Sequence, residues 1–282
     1  IDIYARAAGA NGLRGMITDM SLTDPPGWKN SCPERLGSYT DAVIYELHVR
    51  DFSSDESGRF SLRGKFGAFC ENNVINEYGD VIGLDYIAGL GVTHIHLLPV
   101  ADFQSVDETD PNAGFNWGYD PLNHNIPEGS YSTDPNDGTA RVREFKQLIM
   151  AAHEKGMGII MDVVYNHTYS SDNSPFSRIF PGYYYRRNKD GTLSNGSGCG
   201  NEFATDILAD ENRASPEPLR SVTGGNHRCT AQRNSRADKV TKTPPEARCL
   251  RRSAISADIT RHNTLPARRT FSHKFRRLSP RA

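Results

Sequence analysis

The sequence predicts an α/β fold of parallel strands joined by crossover helices, and three features carry that prediction. The first is Gly158 to His167, which opens as the apolar run Ile159-Ile160-Met161, continues through Asp162, Val163 and Val164, and ends on Tyr165, Asn166 and His167. A run of this length suits a strand buried on both faces. The second is Arg141 to Lys155, which spaces Val142, Phe145, Leu148, Ile149 and Ala152 along one helical stripe. The third is the punctuation: Asp137 or Thr139 suits the helix start, and Gly156 suits its C′ stop. Helix, glycine turn and buried strand make the second half of a right-handed crossover unit. Polar groups at the carboxyl ends of such strands commonly form active sites, which marks Asp162. A structural hydrogen-bonder at a strand end is the competing reading.

In chain order, residues 1–40 are rich in Gly, Pro and Asp, with Asp24-Pro25-Pro26-Gly27 as a turn. They read as a lead-in segment, the end of a preceding domain. Ala42 to Val49 is the first strand, with Arg50-Asp51 at its polar end. Ser53 to Ala68 reads as loop. Gly83 to Leu90 gives a short helix with Leu84, Ile87 and Leu90 on one side, ended by Gly91. Thr93 to Pro99 is a second buried strand. Its alternating His94 and His96 raise a metal pair, although core histidines are the commoner explanation. Val100 to Gly138 reads as a long loop holding Phe115-Asn116-Trp117-Gly118-Tyr119-Asp120-Pro121. Aromatic faces pack on the apolar C–H faces of a pyranose, while amides and carboxylates take its hydroxyls, so this cluster suits a sugar platform. A structural aromatic corner is the plainer alternative. Residues 164–204 read as another long loop, whose Gly/Ser run at 195–200 lacks any phosphate-binding pattern.

The chain has 282 residues, enough for one large domain or two ordinary ones. Its net charge of −1 conceals a break. Residues 1–205 carry 16 basic and 27 acidic side chains, whereas residues 206–282 carry 17 and 7. The tail is rich in Arg, Ser, Pro, Ala and Thr. It cannot bury enough apolar area to offset chain entropy, so disorder is expected. Its scattered cations show no nucleic-acid-binding motif. The five cysteines have no metal-ligand spacing. No apolar run approaches the roughly 20 residues of a membrane helix.

Four stretches carry a family resemblance. Val43-Ile44-Tyr45-Glu46-Leu47-His48-Val49-Arg50-Asp51-Phe52 and Gly91-Val92-Thr93-His94-Ile95-His96-Leu97-Leu98-Pro99-Val100 are similar to the first two barrel strands of the type I pullulanases. Asn116-Trp117-Gly118-Tyr119-Asp120-Pro121 resembles the pullulanase signature, with Phe115 where Tyr is usual. Asp162-Val163-Val164-Tyr165-Asn166-His167-Thr168 resembles the first conserved region of the α-amylase superfamily, glycoside hydrolase family 13. The signature separates pullulanase from isoamylase and branching enzyme.

The resemblance implies a (β/α)8 TIM barrel, of which residues 41–205 supply the first three β/α units and residues 206–282 form a non-homologous basic tail. It implies hydrolysis of α-1,6 branch points in pullulan, starch and related α-glucans by a retaining mechanism, with an Asp nucleophile and a Glu acid. Carried over by position, Tyr119 stacks on the sugar of subsite −1, with Trp117 and Asn116 also on the substrate side. His167 bonds that sugar's 6-hydroxyl. Asp162 lies beneath the site, Asp120 supports it, and Asn166 shapes the loop or a calcium site. No cofactor is required, and calcium is the one metal the family reading admits. The partner is an α-glucan polysaccharide or maltooligosaccharide, not a nucleic acid or a membrane.

The chain departs from the family after Thr205. No Asp-Gly-Phe-Arg-Phe-Asp-like strand follows, and Arg236-Ala237-Asp238 has polar flanks that form no buried strand. The nucleophile and the acid are therefore both missing, and the chain is expected to be inactive as written. Two alternatives stand beside that reading: a non-catalytic α-glucan-binding piece, and a piece that does not fold alone. The chain begins at Ile1 rather than Met, so it is expected to be part of something longer, with a cytoplasmic or secreted location left open.

Overall fold

A computed structural model describes residues 1–33, 35–110 and 114–205, so the basic tail and Asp238 lie outside the described residues. Five strands occur there: β1 Ile44–Leu47, β2 His94–Leu97, β3 Ala101–Phe103, β4 Pro121–Pro127 and β5 Gly158–Met161. Three α-helices accompany them: α1 Leu84–Gly89, α2 Gly138–Glu154 and α3 Pro175–Ile179. No helix among the described residues is long and apolar enough to cross a membrane.

The expected α/β core is present as a parallel sheet in the order β1-β2-β5. Register places Tyr45, Ile95 and Ile159 side by side, and Leu47, Leu97 and Met161 beside one another. Ile95 and Leu97 are fully buried against the helical side, with Leu148 and Met157 in the same cluster. The alternate positions, Ile44, Glu46, His94, His96 and Ile160, face the other way. The expectation that β5 is buried on both faces needs correction: Ile159, Ile160 and Met161 are only half-buried. With three strands paired among the described residues, β5 is an edge; Ile159 and Met161 pack against the helical-side core while Ile160 lies on the opposite face.

α2 forms where the apolar stripe places it. Asp137 caps it by accepting from the Thr139 amide at 2.8 Å, and Gly156 follows at φ +79°, a left-handed conformation that glycine adopts without steric cost. α1 ends before Gly91, at φ +75°.

The three expected loops contain more structure than the sequence suggested. Within residues 100–138, β3 and β4 pair antiparallel with irregular register. β3 has three residues, and β4 is bounded by Pro121 and Pro127, which masks the pattern because proline normally argues against a strand. Within residues 53–68 a 3-10 turn begins at Phe66 and buries Phe66 and Phe69. Within residues 164–204, α3 and the Tyr185–Phe203 bridge build a second apolar cluster of Ile3, Phe176, Tyr184, Tyr185 and Phe203.

Residues 1–33 are stitched to α2. Lys146 Nζ reaches the Met20 carbonyl, Thr23 Oγ1 and Asp24 Oδ1 at 3.3, 2.6 and 2.5 Å. Ser31 Oγ lies 2.8 Å from His153 Nδ1.

Candidate functional site

The site lies beyond the carboxyl ends of the parallel strands. The ladder continues one step past β5, where the Asp162 amide donates to the Leu97 carbonyl at 3.0 Å. This fixes Asp162 at the rim. The signature loop approaches from the other side, and the Tyr119 hydroxyl donates to Asp162 Oδ2 at 2.6 Å. Two stretches 43 residues apart therefore meet through one short hydrogen bond. Partial burial, then the Asp162 carboxylate, push the Tyr119 phenol well above its usual pKa, so the phenol stays protonated and donating.

His167 completes the contact. Its Nε2 lies 2.9 Å from the Tyr119 carbonyl oxygen, and its Nδ1 lies 3.0 Å from Asn166 Oδ1. The ring is buried, with both nitrogens engaged.

The remaining signature residues hold the loop in shape. Asn116 Oδ1 accepts from the Gly118 amide at 2.8 Å, and Asn116 Nδ2 donates to Asp120 Oδ1 at 2.7 Å. Asp120 Oδ2 accepts from the Ser105 amide at 3.1 Å and from the Ser105 hydroxyl. Gly118 is required here: φ is +90°, and a Cβ would sit 2.7 Å from the Pro99 carbonyl oxygen. Trp117 is 62% exposed and stands edge-on to Phe115. An open hollow of about 500 Å³ is lined by Ser105, Phe115, Asn116, Trp117, Tyr119 and Asp120.

Sequence reasoning did not single out several supports. His48 Nε2 lies 3.0 Å from the Asn116 carbonyl oxygen and 2.9 Å from the Tyr131 hydroxyl. Arg50 Nη1 donates to the Gly114 carbonyl at 2.8 Å. The end of β1 thus anchors the signature loop, and Arg50-Asp51 at a strand terminus was the available signal. His124 on β4 lies under the Asp162–His167 stretch, with Nε2 2.9 Å from the Val164 carbonyl oxygen. Burial lowers its pKa to about 4, so the ring is neutral at pH 7.

A buried charged cluster joins α2 to the stretch around β3 and β4. Arg141 Nη2 meets Glu108 Oε2 at 2.7 Å, and its Nη1 lies 3.9 Å from Asp102 Oδ1. Asp102, Glu108 and Glu128 bring carboxylate oxygens within 4.8 Å of one another, the geometry of a cation site. The Arg141 guanidinium already supplies positive charge there. Burial and the neighbouring carboxylates push Asp102 well up and Glu128 up to about 7, so protons also compete for this pocket. His94 and His96 lie on the same sheet face, but neither belongs to a three-ligand cluster among the described residues. His94 Nδ1 contacts Thr93 Oγ1 instead, at 2.9 Å.

Comparison with known proteins identifies the relatives of this chain. The family described as the α-amylase catalytic domain matches residues 54–189. A pullulanase of Bacillus subtilis (strain 168) is 43% identical over 207 residues, covering 73% of this chain and 28% of the relative. Chloroplastic pullulanase 1 of Arabidopsis thaliana is 35% identical over 243 residues, covering 73% of this chain and 25% of its own length. The crystal structure of a Paenibacillus barengoltzii pullulanase, in complex with maltohexaose and α-cyclodextrin, superposes with a TM-score of 0.71 at 48% identity. That match covers 73% of this chain and 32% of the other. The chain thus spans between a quarter and a third of the length of these relatives. With the signature loop and the Asp162–His167 stretch joined as described, residues 54–189 place the chain in the α-amylase catalytic-domain family, as a piece similar to the pullulanases.

Proposed function

We propose that this chain supplies the glucan-binding side of an enzyme that hydrolyses α-1,6-glucosidic branch points, with β1, β2 and β5 as the first three strands of a (β/α)8 barrel. The observation that carries the reading is the Tyr119–Asp162 hydrogen bond at 2.6 Å, with His167 bonded to the Tyr119 carbonyl. These contacts fix an aromatic ring, 40% exposed, beside a strand-end carboxylate. A ring held by its hydroxyl still offers its face to the C–H face of a glucose unit. The relatives' complexes with maltooligosaccharides support the substrate class.

In this reading Asp162 orients Tyr119 and does not attack the sugar. The retaining reaction needs a nucleophile and an acid on two further carboxylates. Neither of their motifs follows Thr205, so the chain binds glucan without cleaving it. Binding that is not coupled to transition-state charge stabilisation gives no turnover.

The test is maltotriose binding by calorimetry, beside a reducing-sugar assay on pullulan, with the 282-residue chain, Tyr119→Ala and Asp238→Ala. Binding without release is expected, weakened about tenfold in Tyr119→Ala. Undiminished binding by Tyr119→Ala would remove the proposed platform. Release that disappears in Asp238→Ala would instead assign a nucleophile to the tail.

A further inference from the structure

β4 runs beneath the loop that follows β5, and His124 is one of its two points of contact. The His124 ring is enclosed by Tyr165, Phe176 and Phe203, each with ring centroids 5.9 Å away. Nε2 lies 2.9 Å from the Val164 carbonyl oxygen, whereas Nδ1 is buried without a hydrogen-bond partner. A carbonyl can only accept, so Nε2 carries the proton and Nδ1 holds an unused lone pair. The ladder ends at Asp162, and among the described residues the His124 bond is the one hydrogen bond that reaches residues 163–165. Immediately downstream, the Tyr169 amide donates to the Pro121 carbonyl at 2.9 Å, and the Phe203 amide to the Asn166 carbonyl at 3.0 Å. β4 therefore holds this stretch at Val164 and again at Tyr169.

We infer that His124 is a positioning residue for the sugar site: its Nε2–H fixes the Val164 carbonyl and thereby the placement of His167 against Tyr119. The role rests on the glucan-binding reading only for its consequence, since the contact itself stands in the protein alone. A ring that merely filled the aromatic cluster would need no donor and would not leave Nδ1 buried without a partner. The unused nitrogen is the cost of placing a donor inside an apolar cage.

Two substitutions separate these roles. His124→Phe keeps an aromatic ring and removes the donor; His124→Gln keeps an N–H donor and removes the ring. Hydrogen exchange of the full chain, read by mass spectrometry, follows peptides covering 162–169 and 138–154. The expected result is about tenfold faster exchange at 162–169 in His124→Phe, with 138–154 unchanged, and near-parental exchange in His124→Gln. The opposite order, with Phe harmless and Gln disruptive, overturns the inference in favour of packing. Equal disruption by both, or faster exchange at 138–154 as well, also overturns it, because the effect is then not a local one through the donor. Maltotriose affinity is measured on the same variants and should fall in His124→Phe alone. A parent that binds no maltotriose sinks the glucan reading and leaves the exchange comparison to decide on His124.

Discussion

Arg141 and its three carboxylates show how a single residue escapes sequence reading. An arginine one turn into a helix ordinarily points to solvent, yet this one is fully buried and reaches the Gly9, Pro127 and Pro135 carbonyls besides Glu108. Asp102, Glu108 and Glu128 fall in a stretch that reads as loop, where acidic residues are normally solvated. By contrast Asp162, Tyr119 and His167 could be singled out as candidates in the sequence, because each sits in a run whose residue order is distinctive. Glu128 gives a testable sign. Its folded-state pKa is raised from 4.5 to about 7, first by burial and then by Glu108. The stabilisation it contributes is complete below about pH 4.5 and is lost as pH rises through about 7. Buried His48 and His124 act in the opposite sense, because their lowered values favour the folded state as pH rises toward 6.5. The difference between Glu128→Gln and the parent isolates the carboxyl. In urea unfolding the variant should gain stability relative to the parent between pH 5 and pH 8; a constant difference would show that Glu128 does not titrate in that window.

At the scale of elements, α2 followed its sequence closely because stripe, cap and stop all agree within one local segment. β1 followed its sequence in position but not in environment. Val43 and Ile44 are 51% and 53% exposed, and the strand is an unpaired edge of the described sheet. An exposed apolar edge strand is a site for pairing between chains. Ile44→Lys should therefore reduce self-association in sedimentation velocity. It should leave the unfolding free energy within about 0.5 kcal/mol of the parent, since the side chain is half in water already. Unchanged self-association would mean that the edge does not mediate it. The β3–β4 pair was illegible for the converse reason: short strands bounded by proline acquire their pairing from Glu128, which accepts from the Phe103 amide at 3.0 Å, and from Asn123 bonded to Asp102.

For the molecule as a whole, residues 1–33 matter more than a Gly- and Pro-rich lead-in suggests. Ala7 and Ala8 are buried, Arg141 reaches the Gly9 carbonyl, and Lys146 binds across Met20 to Asp24. Deleting them would leave Lys146 and one bond of the buried Arg141 without partners, and a buried polar group left unpaired costs about 1–3 kcal/mol. A chain starting at residue 34 should lose several kcal/mol, or cooperative unfolding altogether, by urea denaturation with circular dichroism. Parental stability in that chain would show the segment to be independent of α2.

The sequence by itself determined the parallel strands, the α2 helix and the family, because periodicity, caps and motif order are properties of neighbouring residues. Only the tertiary structure decided that Tyr119 meets Asp162, that His124 lies under Val164, and that Arg141 is buried among carboxylates. Those contacts join residues 33 to 43 positions apart, and their energies depend on distance and desolvation rather than on spacing along the chain.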